Sequence, residues 1–213
     1  MNWQRNFVSN AAGRRTKNTN TTGHFKGCKM PFFIGIVPPE EYKIQILEFR
    51  NQWAKTFRNR WDNNGFRAPV EPHITVKLSN GLSEDMNWLE KVRETCSSFP
   101  IFQLTLSVPG TFGTAVSFLS VESKEIYNLH MSLMDAVSPP PELIDVNIEL
   151  DNFIPHLTLG QTKWGMNEAE IMEMKSAARE TLPPFPSFDV TFVRLFDIPT
   201  SEPLEDIKLA KLL

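Results

Sequence analysis

Four histidines occur in this 213-residue sequence, and two of them share a setting. His73 and His156 each follow a proline (Pro72, Pro155) and each precede a threonine by two positions (Thr75, Thr158), in the strings PHITVKL and FIPHLTLGQ. On a strand, His-x-Thr turns the imidazole and the hydroxyl to one face, roughly 6–7 Å apart, while Ile74 or Leu157 points the other way into a core. The proline forces an extended entry and removes a backbone donor. Two such strands brought face to face would offer two titratable rings and two hydroxyl donors. That set suits in-line displacement at a phosphodiester. The attacking and leaving oxygens lie on opposite sides of phosphorus, so one group must take a proton on one side while another gives one on the far side. Histidine, with a reference pKa of ~6.5, fills either role near neutral pH, each worth roughly 10²–10⁴ in rate. Thr75 and Thr158 would donate to the non-bridging oxygens, where transition-state charge gathers.

Neighbouring residues extend this picture. Lys77 is four residues after His73, so on an unbroken strand it faces the same cleft and could supply positive charge to a phosphate; a lysine snorkelling at a strand end is the competing reading. Gln161, just past the second motif, could reach the cleft. Phe112 could stack on a base, but reads better as core. His130 borders an apolar helical stripe and reads as a satisfied edge residue, and His24 has no partner in sight. A metal site would need a third ligand. Asp151 and Glu71 lack ligand-like spacing, so neither a metal nor a cofactor is expected.

Taken alone, a strand His-x-Thr is ordinarily structural. The elements that carry the two motifs argue otherwise, because they recur in one order. Phe32–Val37 reads as a strand closed by Pro38-Pro39, and residues 40–57 as a helix with the stripe Tyr42, Ile46, Phe49, Trp53 and Phe57. Asn63-Asn64-Gly65 signals a turn, and Pro72–Leu78 alternates as a strand. Ser83 reads as the N-cap of a helix with Leu89, Val92 and Cys96 inward. Phe102–Val108 closes the first half. The second half repeats the series. It runs from the strand Ala115–Val121 to a helix from Ser123 through Val137 (Ile126, Leu129, Leu133, Val137 inward), broken by Pro139-Pro140-Pro141. The strand Phe153–Gln161 follows, then a helix opened by Asn167 with Ile171, Met174 and Ala178 inward, and a last long strand over 188–197. Residues 198–213 form a closing segment without an assigned place. His73 to His156 is 83 residues, and so is Glu84 to Asn167. Five elements in one order at one offset indicate duplication. The expected fold is α+β, with two pseudo-symmetric lobes, each an antiparallel sheet flanked by helices, around a central cleft. Lobe one would span about 31–110 and lobe two about 111–200.

Composition bounds the rest. With 41% hydrophobic and 22% charged residues, the chain is ordinary globular material. No stretch approaches the ~18 apolar residues of a membrane span. Two cysteines, Cys28 and Cys96, can build neither a disulfide scaffold nor a zinc module, so a reduced, cytoplasmic protein without a membrane partner is expected. Six of the 22 basic residues lie in residues 1–30, where there is no acid. Residues 9–23 are small, polar and without period, so residues 1–30 read as a disordered basic arm. A transit peptide and a true start at Met30 are alternative readings of it. The remaining 16 basic residues face all 25 acids, a net charge of −9. A body so acidic is not built to track long nucleic acid, and would grip a small phosphate or one end of a strand.

Paired Pro-His-x-Thr-apolar strands at this spacing, with the GTFGTAVSFLSV segment between them, resemble the two-histidine (2H) phosphoesterases, in particular their bacterial 2′–5′ RNA ligase-like branch. The resemblance spans roughly residues 31–197. It implies a bilobal, pseudo-two-fold fold and metal-free hydrolysis or ligation at RNA 2′,3′-cyclic phosphate ends or 2′–5′ linkages. His73 and His156 would be the catalytic pair, and Thr75 and Thr158 the phosphate binders. The implied partner is an RNA end or a small cyclic nucleotide phosphodiester. A non-catalytic nucleotide- or RNA-end-binding module with the same cleft is the second reading, although a pure binder has no need of two titratable rings. Oligomeric state stays open.

Overall fold

The computed structural model describes residues 31–61, 71–200 and 202–211, with residues 54–61 described by their backbone alone. The basic arm with His24 and Cys28, the Asn63-Asn64-Gly65 turn and the Phe57 side chain lie outside the described residues. The chain runs β1 (Phe32–Ile36), α1 (Glu40–Trp61), β2 (Ile74–Lys77), α2 (Leu89–Ser98), β3 (Phe102–Phe112), β4 (Val116–Glu122), α3 (Glu125–Val137), β5 (His156–Gln161), α4 (Glu168–Thr181), β6 (Phe188–Val190), β7 (Phe192–Asp197) and β8 (Pro203–Lys208). The fold is α+β. The strands form one antiparallel, curled sheet in the order β6-β3-β4-β5-β2-β1-β7-β8.

That order is two four-stranded halves meeting at β5 and β2, the motif strands, through the single registered pair Ile74–Leu157. The halves of the sheet are not the halves of the chain. β3 ends the first half-chain but pairs with β4, and β7 comes from the second half-chain but pairs with β1. The helices cross as well. α1 touches β5 and α4 lies across β3, β4 and β5, whereas α3 lies on β2 and α2 against α3 and β8. Each motif strand is therefore backed by a helix from the other half of the sequence. The apolar stripes close on one another as their 3.6-residue period requires: Ile46, Val92, Cys96, Ile126, Leu129, Leu133, Ile171 and Met174 are all 0% exposed and share one core with Ile34, Ile74 and Leu157.

Local chemistry sets three boundaries differently from expectation. α2 starts at Leu89, not after Ser83: the Asp85 carboxylate accepts from the Ser83 hydroxyl and from the Asn87 amide and side chain, and Met86 sits at φ 54°. Such local side-chain bonds offer the backbone an alternative to the helix. Ser123 is not a cap, since its hydroxyl donates to the Glu125 carboxylate, whereas Asn167 forms a full capping box with Glu170. The run 188–197 is not one strand. It divides at Thr191 into β6, which pairs with β3, and β7, which pairs with β1 and β8. One run can serve both regions because the sheet curls. The Leu209 amide donates to the Thr191 carbonyl, and Ala210 exchanges hydrogen bonds with Phe99 and Ile101 beside the start of β3. The closing segment is thus β8 and the seam beyond it. No helix among the described residues is long and apolar enough to cross a membrane.

Candidate active site

Ile74 and Leu157, the one pair across the join, are both 0% exposed and point into the core. Extending their antiparallel register by one residue each way sets His73 opposite Thr158 and Thr75 opposite His156. All four are half-buried and lie on the face away from the core. The two imidazoles and two hydroxyls therefore form a cross-strand quartet. Each motif contributes one member to each diagonal.

Both rings are held in the same tautomer by the same local device. His73 Nδ1 donates to the Glu71 carbonyl at 2.7 Å, and His156 Nδ1 donates to the Ile154 carbonyl at 2.8 Å. A carbonyl only accepts, so the proton sits on Nδ1 and Nε2 of each neutral ring keeps a free lone pair. The extended entry enforced by Pro72 and Pro155 brings the carbonyl two residues back under each ring. Aromatic side chains fix the ring planes. Phe33 lies 4.7 Å and Phe196 5.3 Å from His73, while Phe112 lies 4.8 Å and Phe118 5.3 Å from His156. Gly110 makes the second of these packings possible, because a Cβ there would come within 2.7 Å of the Phe118 ring.

The electrostatics are unequal. Burial pulls the His73 pKa down to about 4, with the Arg50 guanidinium and His156 pushing the same way and the Glu71 carbonyl opposing. Burial also lowers that of His156, against the Ile154 carbonyl. Arg50 comes from α1, is 3% exposed, donates to the Thr158 carbonyl and stacks 5.4 Å over Trp164. Glu71 is itself anchored: Lys43 and Arg194 each meet its carboxylate at 2.7 Å.

Lys77 does not face the quartet. It is 0% exposed, and its ammonium donates to Glu149 at 2.7 Å, to the Asn80 carbonyl at 2.7 Å and to the Leu78 carbonyl at 3.1 Å. The reason is a β-bulge. On β1, Ile34 and Gly35 are adjacent, but their partners on β2 are Lys77 and Thr75, so Val76 is an extra residue and the alternation slips. The same bulge follows the second motif. Ser117 and Phe118 face Gly160 and Thr158, leaving Leu159 extra. Gly160 turns inward, where a Cβ would come within 2.5 Å of Met166 Sδ and 2.6 Å of Met174 Sδ, and Gln161 returns to the quartet's face. Phe112 lies beside His156 and is absent from the core cluster, contrary to the expectation that it would be core. His130 is satisfied, but deep inside rather than at an edge. It is 1% exposed, with Nδ1 donating to the Val76 carbonyl and Nε2 accepting from the Leu150 amide. Phe33, Phe196, Phe118 and Arg50 are not singled out by motif spacing. A signal for Arg50 exists, since it lies four residues after Ile46 on the inward stripe of α1, where a charge is out of place. Among the described residues, no group of three or more His, Cys, Asp or Glu side chains is arranged to hold a metal ion.

A family profile described as the 2′-5′ RNA ligase superfamily matches residues 38–199, most of the chain. The chain belongs to the 2′-5′ RNA ligase superfamily. No curated protein sequence matches it. Among solved structures, this superfamily member is similar to TT0787 of Thermus thermophilus at 18% identity and a TM-score of 0.53, covering 86% of this chain and 100% of that one. It is similar to E. coli LigT complexed with ATP at 19% identity and a TM-score of 0.51, covering 84% and 97%. To E. coli LigT complexed with 3′-AMP the identity is 20% and the TM-score 0.50, covering 84% and 98%. At these identities the likeness is one of fold, and it agrees with the α+β architecture described above.

Proposed function

We propose that this chain is a two-histidine phosphodiesterase and RNA ligase-like enzyme. It acts on RNA 2′,3′-cyclic phosphate ends, 2′–5′ linkages or a small cyclic nucleotide phosphodiester. The observation that carries the reading is the register at the join, Ile74 against Leu157, which turns both His-x-Thr motifs to one face with Nε2 of each ring free. Superfamily membership and the nucleotide and phosphate complexes of LigT support the substrate class.

Hydrolysis then runs as one displacement. His73, the ring held more firmly neutral, takes a proton from water through Nε2 as the water oxygen bonds to phosphorus. The ring P–O bond breaks on the far side, and His156, carrying a proton drawn there by the bound phosphate, gives it to the leaving oxygen. The product is a phosphomonoester with a free hydroxyl. Ligation runs in the same sense, with an incoming ribose hydroxyl in place of water as the ring P–O bond breaks, and its reverse cleaves the linkage back to a cyclic phosphate and a free hydroxyl. Thr75 and Thr158 donate to the non-bridging oxygens. The two imidazoles meet both proton demands of the reaction.

The test is turnover of 2′,3′-cyclic nucleotides and 2′–5′ dinucleotides by the purified chain in EDTA. The expected result is metal-independent product formation with a bell-shaped pH profile, lowered about 10²–10⁴-fold in His73→Ala and in His156→Ala variants that keep the fold. Near-wild-type turnover in either variant overturns the acid–base pair. Nucleotide binding without turnover in the wild type assigns the cleft to a binding module instead.

A further inference from the structure

Behind the quartet lies a third histidine ring that takes no step in the reaction proposed above. His130, on α3, is 1% exposed, and both of its nitrogens are engaged. Nδ1 donates to the Val76 carbonyl at 2.7 Å, and Nε2 accepts from the Leu150 amide at 3.0 Å. Its plane lies within 10° of the Phe153 ring, with the centroids 4.1 Å apart. These partners adjoin the two motifs. Val76 directly follows Thr75 and is the extra residue of the first bulge. Phe153 directly precedes Ile154, whose carbonyl holds the His156 ring. We propose that His130 is a positioning residue shared by both motifs. Its neutral ring ties Val76, next to Thr75, to the Leu150–Phe153 lead-in of His156, and a proton on Nε2 releases the lead-in. The inference rests on the phosphodiester reading for what the quartet does, but not for the tie itself.

Three observations carry it. First, the ladder across the join registers one pair, so contacts from behind the sheet hold the second lead-in against β2. Glu149, next to Leu150, makes a parallel tie, accepting from Lys77 at 2.7 Å and from the Asn80 side chain at 3.2 Å. Second, Leu150 stands at φ 55°, a conformation that a branched side chain seldom adopts and that its surroundings must hold in place. Its amide is held by His130, and its carbonyl accepts from the Phe153 amide at 3.0 Å. Third, only the neutral ring can make both bonds. An imidazolium carries a proton on each nitrogen and cannot accept, so protonation sets two N–H groups against each other at Leu150 and spares the bond to Val76. Burial opposes that proton most, and Lys77 from β2 also opposes it, whereas the Val76 carbonyl and Glu149 from the lead-in favour it.

The experiment uses the full chain and needs no turnover. Hydrogen exchange of the Leu150 amide and NMR signals of the His130, His156 and His73 rings are followed from neutral to acid pH, with inorganic phosphate as the binding probe. In the wild type, protection of the Leu150 amide is expected to fall about tenfold as His130 titrates, and the His156 ring signals to show a step at that same midpoint. Two variants divide the tie. His130→Gln places an acceptor where Nε2 was and does not titrate, so Leu150 protection should stay within about threefold of wild type and lose its pH dependence. His130→Asn keeps a donor where Nδ1 was and removes the acceptor, so protection should fall about tenfold at neutral pH, with shifted His156 signals and about threefold weaker phosphate binding. A Leu150 amide that stays protected through the titration of His130 overturns the proposal, and that wild-type measurement stands even if a variant fails to fold or phosphate does not bind. Unmoved His156 signals in His130→Asn overturn it as well, leaving the ring a packing role alone. A wild type that shows these responses but turns over no cyclic phosphodiester refutes the enzymatic reading and leaves the role of His130 in place.

Discussion

The two motif strands share a backbone and differ in what lies behind it. In each, His-x-Thr follows an X-Pro entry, the ring donates to the carbonyl two residues back, and a bulge directly after the threonine breaks the alternation. Behind the first bulge is a polar interior. Lys77 meets Glu149, Asn80 Nδ2 also reaches that carboxylate, and His130 ties the Val76 carbonyl to the Leu150 amide. Behind the second is Gly160 against the sulfurs of Met166 and Met174. The supports of the rings differ likewise. Glu71, under His73, is clamped by Lys43 and Arg194, whereas Ile154, under His156, is an exposed apolar side chain. The geometry that presents an imidazole and a hydroxyl is the same in both strands, and the packing behind each differs. The backbone device is what the chemistry needs, and charge or sulfur can fill the space behind it.

Removing either ring tests whether the halves are equivalent in what they present. His73→Ala and His156→Ala should each lower turnover about 10²–10⁴-fold with the fold intact. A loss confined to one of them would break the comparison. The supports should then separate the halves. Lys77→Met, which leaves the buried Glu149 without its cation, is expected to cost about 3–5 kcal/mol, and adding Glu149→Leu should recover most of it. Chemical denaturation of the two single variants and the double variant checks this. Gly160→Ala, at the matching place in the second half, should cost about 1–3 kcal/mol, because flexible methionine ends can yield where a charge cannot. The same denaturation measurement decides it, and a larger loss at Gly160 than at Lys77 would reverse the expected order of the two halves.

The pH dependence compares the two rings themselves. Both rings have folded-state pKa values below the unfolded one, so the unfolded chain binds more protons as pH falls through ~6.5. Stability contributed by the neutral rings is fully present above that pH. For His73 it is lost progressively down to about 4. Stability should therefore fall between pH 6.5 and 4, and His73→Asn should flatten that slope more than His156→Asn. Equal flattening would remove the electrostatic difference between the halves. His130 is also depressed by burial and adds to the same acid-side loss.

Much of the site is legible in the sequence, because its signal is local. A proline, a histidine and a threonine at fixed offsets define a strand face, and their recurrence 83 residues later defines a pair. Helix stripes are legible for the same reason: period 3.6 marks one face, and Ile126, Leu129 and Leu133 are buried as that period requires. Lys77 and Phe112 went the other way. Strand alternation holds only while the ladder is unbroken, and a bulge is settled by the partner strand, which the motif does not contain. The same slip that buried Lys77's counterpart Gly160 returned Gln161 to the open face.

What the sequence determined by itself was the pair of motifs, their duplication and the elements that carry them, since each depends on residues within a few positions of one another. Only the tertiary structure decided that α1 crosses to back the opposite motif strand, that β3 and β7 pair across the halves of the chain, and that Lys77 turns away from the quartet into a buried pair with Glu149. Those outcomes follow from strand pairing and desolvation between segments far apart in the chain. Such energies come into being only when the segments meet.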